Sequence, residues 1–323
     1  MPRYNLPGIS VEKIPCGSKT IERVTTSVTA FVGRAEKGPV GKAEPVQSFY
    51  DYKSIYGDVA SESDTMGLAV QSFYLNGGKR AYICRLATED FGPPTADDFT
   101  YFYDNTLINI SIILVPGEYW TKDGSGNPII SATLAHCEKL KNRMVIIDPP
   151  PDLELDQTAT VKSLSLPSSS YSVLYYPWVQ VPNPLYAAQT NPATDKTVNV
   201  APSSFAAGMW NRIDAKRAVW KPPAGKEADL IGITGLKYQI EHVQQDQLNS
   251  LGVNCIRNIT GVGSVIWGAR TLATSAEPDW RYVSVRRTAI MIEQSIYKGI
   301  QWAVFEPNDQ RLWAALRTSI GVF

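Results

Sequence analysis

The strongest constraint on the fold is an alternation of short apolar runs with amphipathic segments along the chain. The apolar runs are rich in β-branched and aromatic residues, which is typical of buried strands. Apolar residues at helical spacing lie between them. Such alternation indicates crossover connections, so we predict an α/β fold with a mainly parallel sheet. The predicted strands are residues 108–115, 144–147, 172–176, 253–257 and 264–267, and the predicted helices are residues 131–140, 153–163, 203–212 and 242–250.

The same pattern is present nearer the N-terminus. Residues 25–33 form a β-branched run that predicts a buried strand. Residues 66–74 carry apolar side chains at helical spacing, and the Asn-Gly-Gly at residues 76–78 predicts the end of that helix. Residues 80–86 then predict another strand.

The C-terminal part predicts two more helices, the second with Asn308 or Asp309 as N-cap. Arg286, Glu293 and Lys298 lie outside the apolar stripe of the first helix. We expect that stripe to face the core, and residues 301–305 between the helices to form a short strand. The stripe consists of Val285, Ala289, Ile292, Ile296 and Ile300.

Residues 1–20 are interrupted by prolines and glycines and predict an extended arm. One alternating run within the arm has the pattern of a strand. A lone strand leaves its N–H and C=O groups unpaired, so it needs the edge of a sheet to join. A frayed terminus is the alternative. The run consists of Ile9, Ser10, Val11, Glu12, Lys13 and Ile14.

Charge and hydropathy exclude several classes of function. The 31 Lys and Arg residues balance 31 Asp and Glu, which gives a formal net charge of +0 and no basic surplus for nucleic acid. The apolar stretch at residues 108–115 is too short to cross a bilayer, and the N-terminus lacks the apolar region of a secretory signal. We therefore predict no nucleic acid partner, no membrane insertion and synthesis in a reducing cytoplasm.

The proportions of charged and aromatic residues favour a chain that forms protein interfaces. Charged residues make up 19% of the sequence, below the roughly 25% of an average domain. The chain also has 16 Tyr and 8 Trp. Few charges and many aromatic residues are typical of interface cores. A soluble binding module that uses such a surface is one interpretation.

Motifs for catalysis are missing from the sequence. His136 and His242 are the only histidines, and there is no P-loop, GxSxG or HExxH. The adjacent His136 and Cys137 could suggest nucleophilic catalysis, but neighbouring residues on a helix point about 100° apart and cannot share a proton. Asp148 is the other candidate, because it ends a strand where α/β enzymes place carboxylates. We predict no metal, no cofactor and no enzymatic activity, with an enzyme using a cleft near Asp148 as the alternative. The widely spaced cysteines are Cys16, Cys84, Cys137 and Cys255.

A series of ordered blocks resembles one known family. The blocks include LPGISVEKIPCG, AGMWNRIDAKRAVWKPPA and GIQWAVFEPND, together with the turns Val115-Pro116-Gly117 and Asp148-Pro149-Pro150. In their order and number they are similar to the contractile tail sheath proteins of bacteriophages and related injection particles. The blocks cover residues 6–17, 26–39, 73–82, 207–224, 251–257, 267–272, 282–287 and 299–309.

The resemblance implies a structural subunit that polymerises as stacked six-subunit rings around an inner tube. The sheath would contract to drive the tube through a target envelope. An inner domain would form from the N- and C-terminal segments, and the run from Ile9 to Ile14 would add a strand to a neighbouring subunit. The implied domains are a linking arm at residues 1–20, an N-terminal sheath segment at 21–104, an α/β sheath domain at 105–280 and the start of a C-terminal sheath domain at 281–323.

The resemblance also implies partners and a location. The partners are other copies of the chain, the inner tail tube protein, and the baseplate and tail terminator proteins, with no cofactor. The location is the virion tail, assembled in the host bacterial cytoplasm. A headless contractile injection system or tailocin is the alternative. Family chains continue beyond the segment matching residues 312–323 into a C-terminal arm, which we expect this chain to lack.

Overall fold

The computed structural model describes residues 20–86, 109–121, 123–155, 158–186, 195–273 and 277–323. These residues form two compact units. The larger unit is Thr25–Met291, and the smaller unit combines residues 20–24 with Ile292–Phe323. The smaller unit therefore joins N- and C-terminal segments, in agreement with the predicted inner domain. The predicted domain boundaries after residues 20, 104 and 280 stay predictions.

Two sheets lie in the larger unit. The first contains β1 to β6, β10 and β11, and the second is a small antiparallel sheet of β7, β8 and β9. The strands are β1 Val28–Gly33, β2 Ala43–Val46, β3 Arg80–Arg85, β4 Ile112–Leu114, β5 Met144–Ile147, β6 Ser172–Tyr176, β7 Val179–Pro182, β8 Thr197–Val200, β9 Gly235–Leu236, β10 Val253–Ile259 and β11 Gly263–Ile266.

The large sheet has the strand order β11-β10-β6-β5-β4-β1-β3-β2. Its six central strands are parallel, and the edge strands β2 and β11 are antiparallel to their neighbours. Phe31 in β1 pairs with Ile83 of β3 on one side and Leu114 of β4 on the other. The predicted α/β fold with a mainly parallel sheet is confirmed.

Eight α-helices accompany the strands in the described residues. Side chains of Ser48, Asp64, Asn127 and Asp309 accept backbone N–H bonds at the starts of four of them. The helices are α1 Phe49–Tyr56, α2 Thr65–Leu75, α3 Pro128–Leu140, α4 Thr158–Ser163, α5 Pro202–Lys216, α6 His242–Ser250, α7 Val283–Gly299 and α8 Gln310–Val322.

Apolar clusters cover both faces of the large sheet. One cluster includes Phe31, Phe73 and Trp210, and the other includes Cys137 and Tyr176. Parallel strands buried on both faces consist of nearly continuous apolar residues. That is why the apolar runs were a reliable signal for the central strands.

Two local predictions are wrong. Residues 301–305 do not form a strand: Gln301–Ala303 is a 3₁₀ helix, in which the Ala303 N–H donates to the Ile300 carbonyl at 2.9 Å. The helix predicted at residues 153–163 begins only at Thr158. The Leu155 N–H donates instead to the Tyr176 hydroxyl at 3.0 Å, which holds it outside the helix.

Among the described helices, none is long and apolar enough to span a membrane. Over the same residues there is no group of three His, Cys, Asp or Glu side chains arranged to hold a metal ion. Cys84, Cys137 and Cys255 are buried, and Cys16 lies outside the described residues.

Candidate assembly surface

Asp148 caps a helix. It follows β5, is 3% exposed, and faces the first turn of α5. The Ser203 N–H donates to Oδ1 at 2.9 Å and the Ser203 hydroxyl donates to Oδ2 at 2.6 Å. Ala201, the N-cap residue of α5, makes no side-chain hydrogen bond. The carboxyl of Asp148 therefore stabilises the helix start that Ala201 leaves unpaired.

A small pocket lies beside this cap, at the carboxyl ends of the parallel strands. Its volume of ≈ 30 Å³ holds one or two water molecules. The lining residues are Glu62, Thr65, Leu68, Ala69, Pro116, Gly117, Trp178, Asn199, Val200, Ala201 and Ser203. Asp148 is absent from the lining, so the pocket and the carboxyl do not together form the substrate cleft that the enzyme interpretation requires.

His136 and Cys137 do not form a catalytic pair either. Both are buried on α3, and burial lowers the pKa of His136 to about 4 and raises the pKa of Cys137 to about 12. The ring of His136 lies 3.4 Å from the Arg143 guanidinium, which also disfavours its protonation. A thiol with so high a pKa is not a nucleophile near neutral pH.

The apolar stripe predicted to face the core on α7 includes exposed residues. Val285 is 43% exposed and Ile292 is 41% exposed. The buried residues on α7 include Arg286 and Arg287, although Arg286 was expected outside the buried face. The prediction of which face is buried is therefore wrong for these positions.

Arg287 is buried because it has a carboxylate partner. Its guanidinium donates to both oxygens of Asp214, at 2.9 Å and 2.5 Å, and the two side chains are 5% and 7% exposed. The Thr26 hydroxyl donates to the same carboxylate at 2.6 Å, and the Thr26 carbonyl accepts from Arg287 at 3.0 Å. This network ties α7, α5 and the segment before β1 together within the larger unit.

Arg286 lies between aromatic rings. Its guanidinium carbon is 3.6 Å from the centroid of the Trp280 ring and 4.5 Å from that of Tyr171. It donates to the Ser170 hydroxyl at 2.7 Å. Stacking and this hydrogen bond explain how the cation is accommodated. The sequence pattern does not indicate that either arginine is buried, because an Arg-Arg pair in a helix ordinarily lies on a solvated surface.

The smaller unit has very little apolar core among its described residues. Its N-terminal segment is fastened by Ile21, which packs on Gly299, and by Val24, whose N–H donates to the Ser295 hydroxyl at 3.0 Å. Within Ile292–Phe323 only Ser295 and Ser319 are buried. Helices with apolar residues and so little burial need further surface to pack against.

Exposed apolar side chains are concentrated in this unit, and we call them the C-terminal apolar set. Phe305 is 98% exposed, and Trp313 and Ile320 are seven residues apart on α8. Exposed aromatic residues of this kind are typical anchors of protein interfaces. The set consists of Ile292, Tyr297, Val304, Phe305, Trp313, Ile320 and Val322. The predicted intersubunit strand, Ile9 to Ile14, lies outside the described residues.

Comparison with known sequences gives consistent matches. A family model described as the phage tail sheath protein central domain matches residues 104–272, and a model described as the phage tail sheath C-terminal domain matches residues 275–323. A prophage major tail sheath protein from Pseudomonas aeruginosa is 32% identical over 118 residues, which is 35% of this chain. The tail sheath protein of Vibrio phage KVP40 is 24% identical over 139 residues, or 43% of the chain. The aligned segments span only 29% and 21% of these two relatives.

Solved structures match over nearly the whole chain. The anti-feeding prophage helical sheath in its contracted state is 26% identical, with a TM-score of 0.77 over 99% of this chain and 82% of that one. The sheath complex of the extracellular contractile injection system PVC, also contracted, has the same fold, with a TM-score of 0.76 at 24% identity over 100% of this chain and 81% of that one. Together with the family models, which cover more than half of the sequence, these matches show that the chain belongs to the phage tail sheath protein family.

Proposed function

We propose that the protein is a structural subunit of a contractile sheath, which polymerises as stacked six-subunit rings around an inner tube and contracts to drive that tube through a target envelope. Membership of the tail sheath family supports this proposal, as does the likeness to a helical sheath in a contracted state. The use of Asp148 as a helix cap favours a non-enzymatic role.

The C-terminal apolar set is the observation that carries the proposal. Side chains such as Phe305 and Trp313 gain little in an isolated subunit, because they are left in water. Contact with further protein surface removes them from water and stabilises the assembly. Repeated head-to-tail contact between copies generates rings and open helical tubes. The zero net charge of the chain adds little self-repulsion to oppose such packing.

Contraction in this proposal uses energy stored in the lattice. The extended sheath is held kinetically and relaxes to a contracted lattice with more buried surface. An extra ~80 Å² of apolar burial per subunit contributes about 2 kcal/mol at ~25 cal/mol per Å². Summed over the many subunits of a long tail, this gain reaches on the order of hundreds of kcal/mol, and no nucleotide hydrolysis is needed to supply it.

The proposed partners are other copies of the chain, the inner tube protein, and the baseplate and tail terminator proteins. The arm strand from Ile9 to Ile14 would join a sheet edge of a neighbouring subunit. Two kinds of particle fit the chain. A phage tail, assembled in the bacterial cytoplasm, is supported by the phage and prophage relatives. A headless injection system is supported by the match to the anti-feeding prophage sheath over 99% of the chain.

Charged substitutions in the C-terminal apolar set should prevent sheath assembly. We expect Phe305→Asp combined with Trp313→Asp to reduce sheathed tails at least tenfold, since a carboxylate in an interface core is strongly unfavourable. The measurement is a count of sheathed particles by negative-stain electron microscopy, with both substitutions introduced into the protein in its producing cells.

The matched control is Val243→Asp. Val243 is 71% exposed on α6 of the larger unit, outside the C-terminal apolar set. We expect this variant to assemble normally. Circular dichroism of each purified variant checks that the fold is retained. Normal numbers of sheathed particles from the Phe305 and Trp313 variant would contradict the proposed role of the C-terminal apolar set. Sheathed particles from cells with the native protein that contain none of this protein would contradict the sheath function.

A further inference from the structure

The carboxyl of Asp148 lies in a setting that ionised groups rarely occupy. It is 3% exposed, and its two oxygens face the N–H and hydroxyl of a single residue, Ser203. The hydroxyl of Ser203 can donate a proton or accept one. The contact between Oδ2 and the Ser203 oxygen therefore persists whether Asp148 is ionised or protonated, and only the charge of the pair changes.

No cation faces this carboxyl from the described elements around it. In the pocket beside Ser203, Glu62 is the only ionisable lining residue. The neighbouring strand β6 contributes Tyr175 and Tyr176, and burial raises the pKa of both hydroxyls, so they stay neutral. Arg143 precedes β5, and five residues of strand place it roughly 16 Å from Asp148.

Other groups near the end of β5 have partners of their own. Asp152 pairs with Lys237 at the surface, with 2.8 Å between Oδ1 and Nζ. The Trp120 N–H donates to the backbone carbonyl of Asp148, at 2.9 Å, and does not contact the carboxyl. Among the described residues, the favourable influences on a negative charge are the hydrogen bonds from Ser203 and the start of α5.

These influences are smaller than the cost of burying the charge. A helix N-terminus favours a partly buried anion by at most about thirtyfold. Removing a carboxylate from water without a counterion disfavours the charged form by a larger factor. Burial therefore raises the pKa of Asp148 to about 7, against the hydrogen bonds from Ser203, which lower it.

We propose that Asp148 and Ser203 form a proton-sensitive latch on the first turn of α5, which holds that helix against the sheet more firmly in mildly acidic than in mildly alkaline solution. The same helix carries Trp210, whose indole N–H donates to the Tyr175 hydroxyl at 2.9 Å, and Asp214, the partner of Arg287. Loosening its first turn therefore weakens the centre of the larger unit.

The direction of the pH effect follows from the pKa. The folded state holds the Asp148 proton up to about pH 7, whereas the unfolded chain releases it near the ordinary value of 3.8. The contribution of Asp148 to stability is complete below the unfolded pKa and is lost as the pH rises through the folded pKa. Between about pH 4 and pH 7 this one group lowers the ratio of folded to unfolded protein by up to about tenfold per pH unit.

Two measurements test the latch. The first follows the ¹³C shift of the Asp148 carboxyl by NMR as the pH is raised, with assignment by Asp148→Asn. We expect a midpoint near pH 7. The second is the urea midpoint of unfolding between pH 5 and pH 8. It should fall with pH in the native protein and stay nearly level in Asp148→Asn. Asp152→Asn, at an exposed neighbouring carboxylate, is the matched control and should follow the native profile.

A carboxyl midpoint below pH 5 would overturn the proposal. So would an Asp148→Asn variant with the full native dependence on pH. If that variant does not fold, the native titration still decides the question, with the Asp148 signal assigned by its proximity to the Ser203 amide proton.

Discussion

Replacing Arg287 by methionine should destabilise the larger unit by about 3–5 kcal/mol, because it leaves a buried carboxylate without its counterion. Asp214 is 7% exposed and receives two hydrogen bonds from Arg287. Methionine replaces the volume of the arginine stem but not its charge. The guanidinium also lies 4.6 Å from the centroid of the Trp210 ring, a contact that the substitution removes. Urea denaturation followed by tryptophan fluorescence measures the loss.

The matched control is Arg217→Met. Arg217 also pairs with a carboxylate, that of Glu227 at 2.8 Å, but the two side chains are 56% and 45% exposed. Exposed ion pairs contribute at most about 1 kcal/mol, so we expect this variant to remain close to native stability.

A double variant separates the lost pairing from the buried charge. Asp214→Asn in the Arg287→Met background removes the uncompensated carboxylate and should recover part of the stability lost in the single variant. Equal losses in Arg287→Met and Arg217→Met would show that burial does not set the strength of the pair. A double variant less stable than Arg287→Met would rule out the uncompensated charge as the cause.

The central strands could be predicted because their own residues are of the types found in buried strands. Residues 144–147 and 172–176 were predicted as strands with the bounds that β5 and β6 have. Both faces of such strands are buried, so every side chain is apolar, aromatic or small and the signal does not depend on partners elsewhere in the chain. The helix of residues 66–74 was identified for a similar reason, with Asn76 and Gly77 following it.

The buried face of α7 could not be predicted in the same way. Apolar side chains such as Val285 and Ile292 have the same helical spacing whether they face a core or remain exposed. Arg287 is buried only because Asp214, 73 residues away in sequence, reaches it. The local sequence pattern around α7 contains no sign of a pairing over that distance. Hydrophobic periodicity therefore locates a helix more reliably than it identifies the helix face that the chain buries.

Asp148 shows a different limit. Its position at the end of a strand was predicted, and catalysis there was only the alternative interpretation. Its role as a helix cap was not predicted. Ala201 has no side-chain acceptor with which to cap α5. Asp148 takes that role because the fold places the end of β5 beside the start of α5, and this neighbourhood is not visible in the sequence. A carboxylate at this edge of a parallel sheet can bind a ligand or cap a helix of its own chain, and here the hydrogen bonds from Ser203 identify the second role.

Gly208→Ala should destabilise the larger unit by about 1–3 kcal/mol, although alanine is the better helix former. Helix propensity alone predicts a gain of about 1 kcal/mol. Gly208 lies in α5 where that helix approaches the end of α2, and a Cβ there would be 2.5 Å from the Phe73 carbonyl oxygen and 3.0 Å from the Cβ of Asn76. A backbone oxygen cannot move aside as a flexible side chain can, so the two helices would have to separate.

The matched substitution is Gly321→Ala in α8, where an added Cβ meets nothing within 4 Å. At this position only the higher helix propensity of alanine acts, and we expect the stability of the helix to increase by about 0.5–1 kcal/mol. Urea denaturation of the larger unit tests Gly208→Ala, and the helical signal of circular dichroism during heating tests Gly321→Ala. Opposite signs for the same chemical change would show that the close approach of α2 and α5 requires glycine. A gain in both variants would mean that the helices adjust to the extra methyl group and that the position tolerates it.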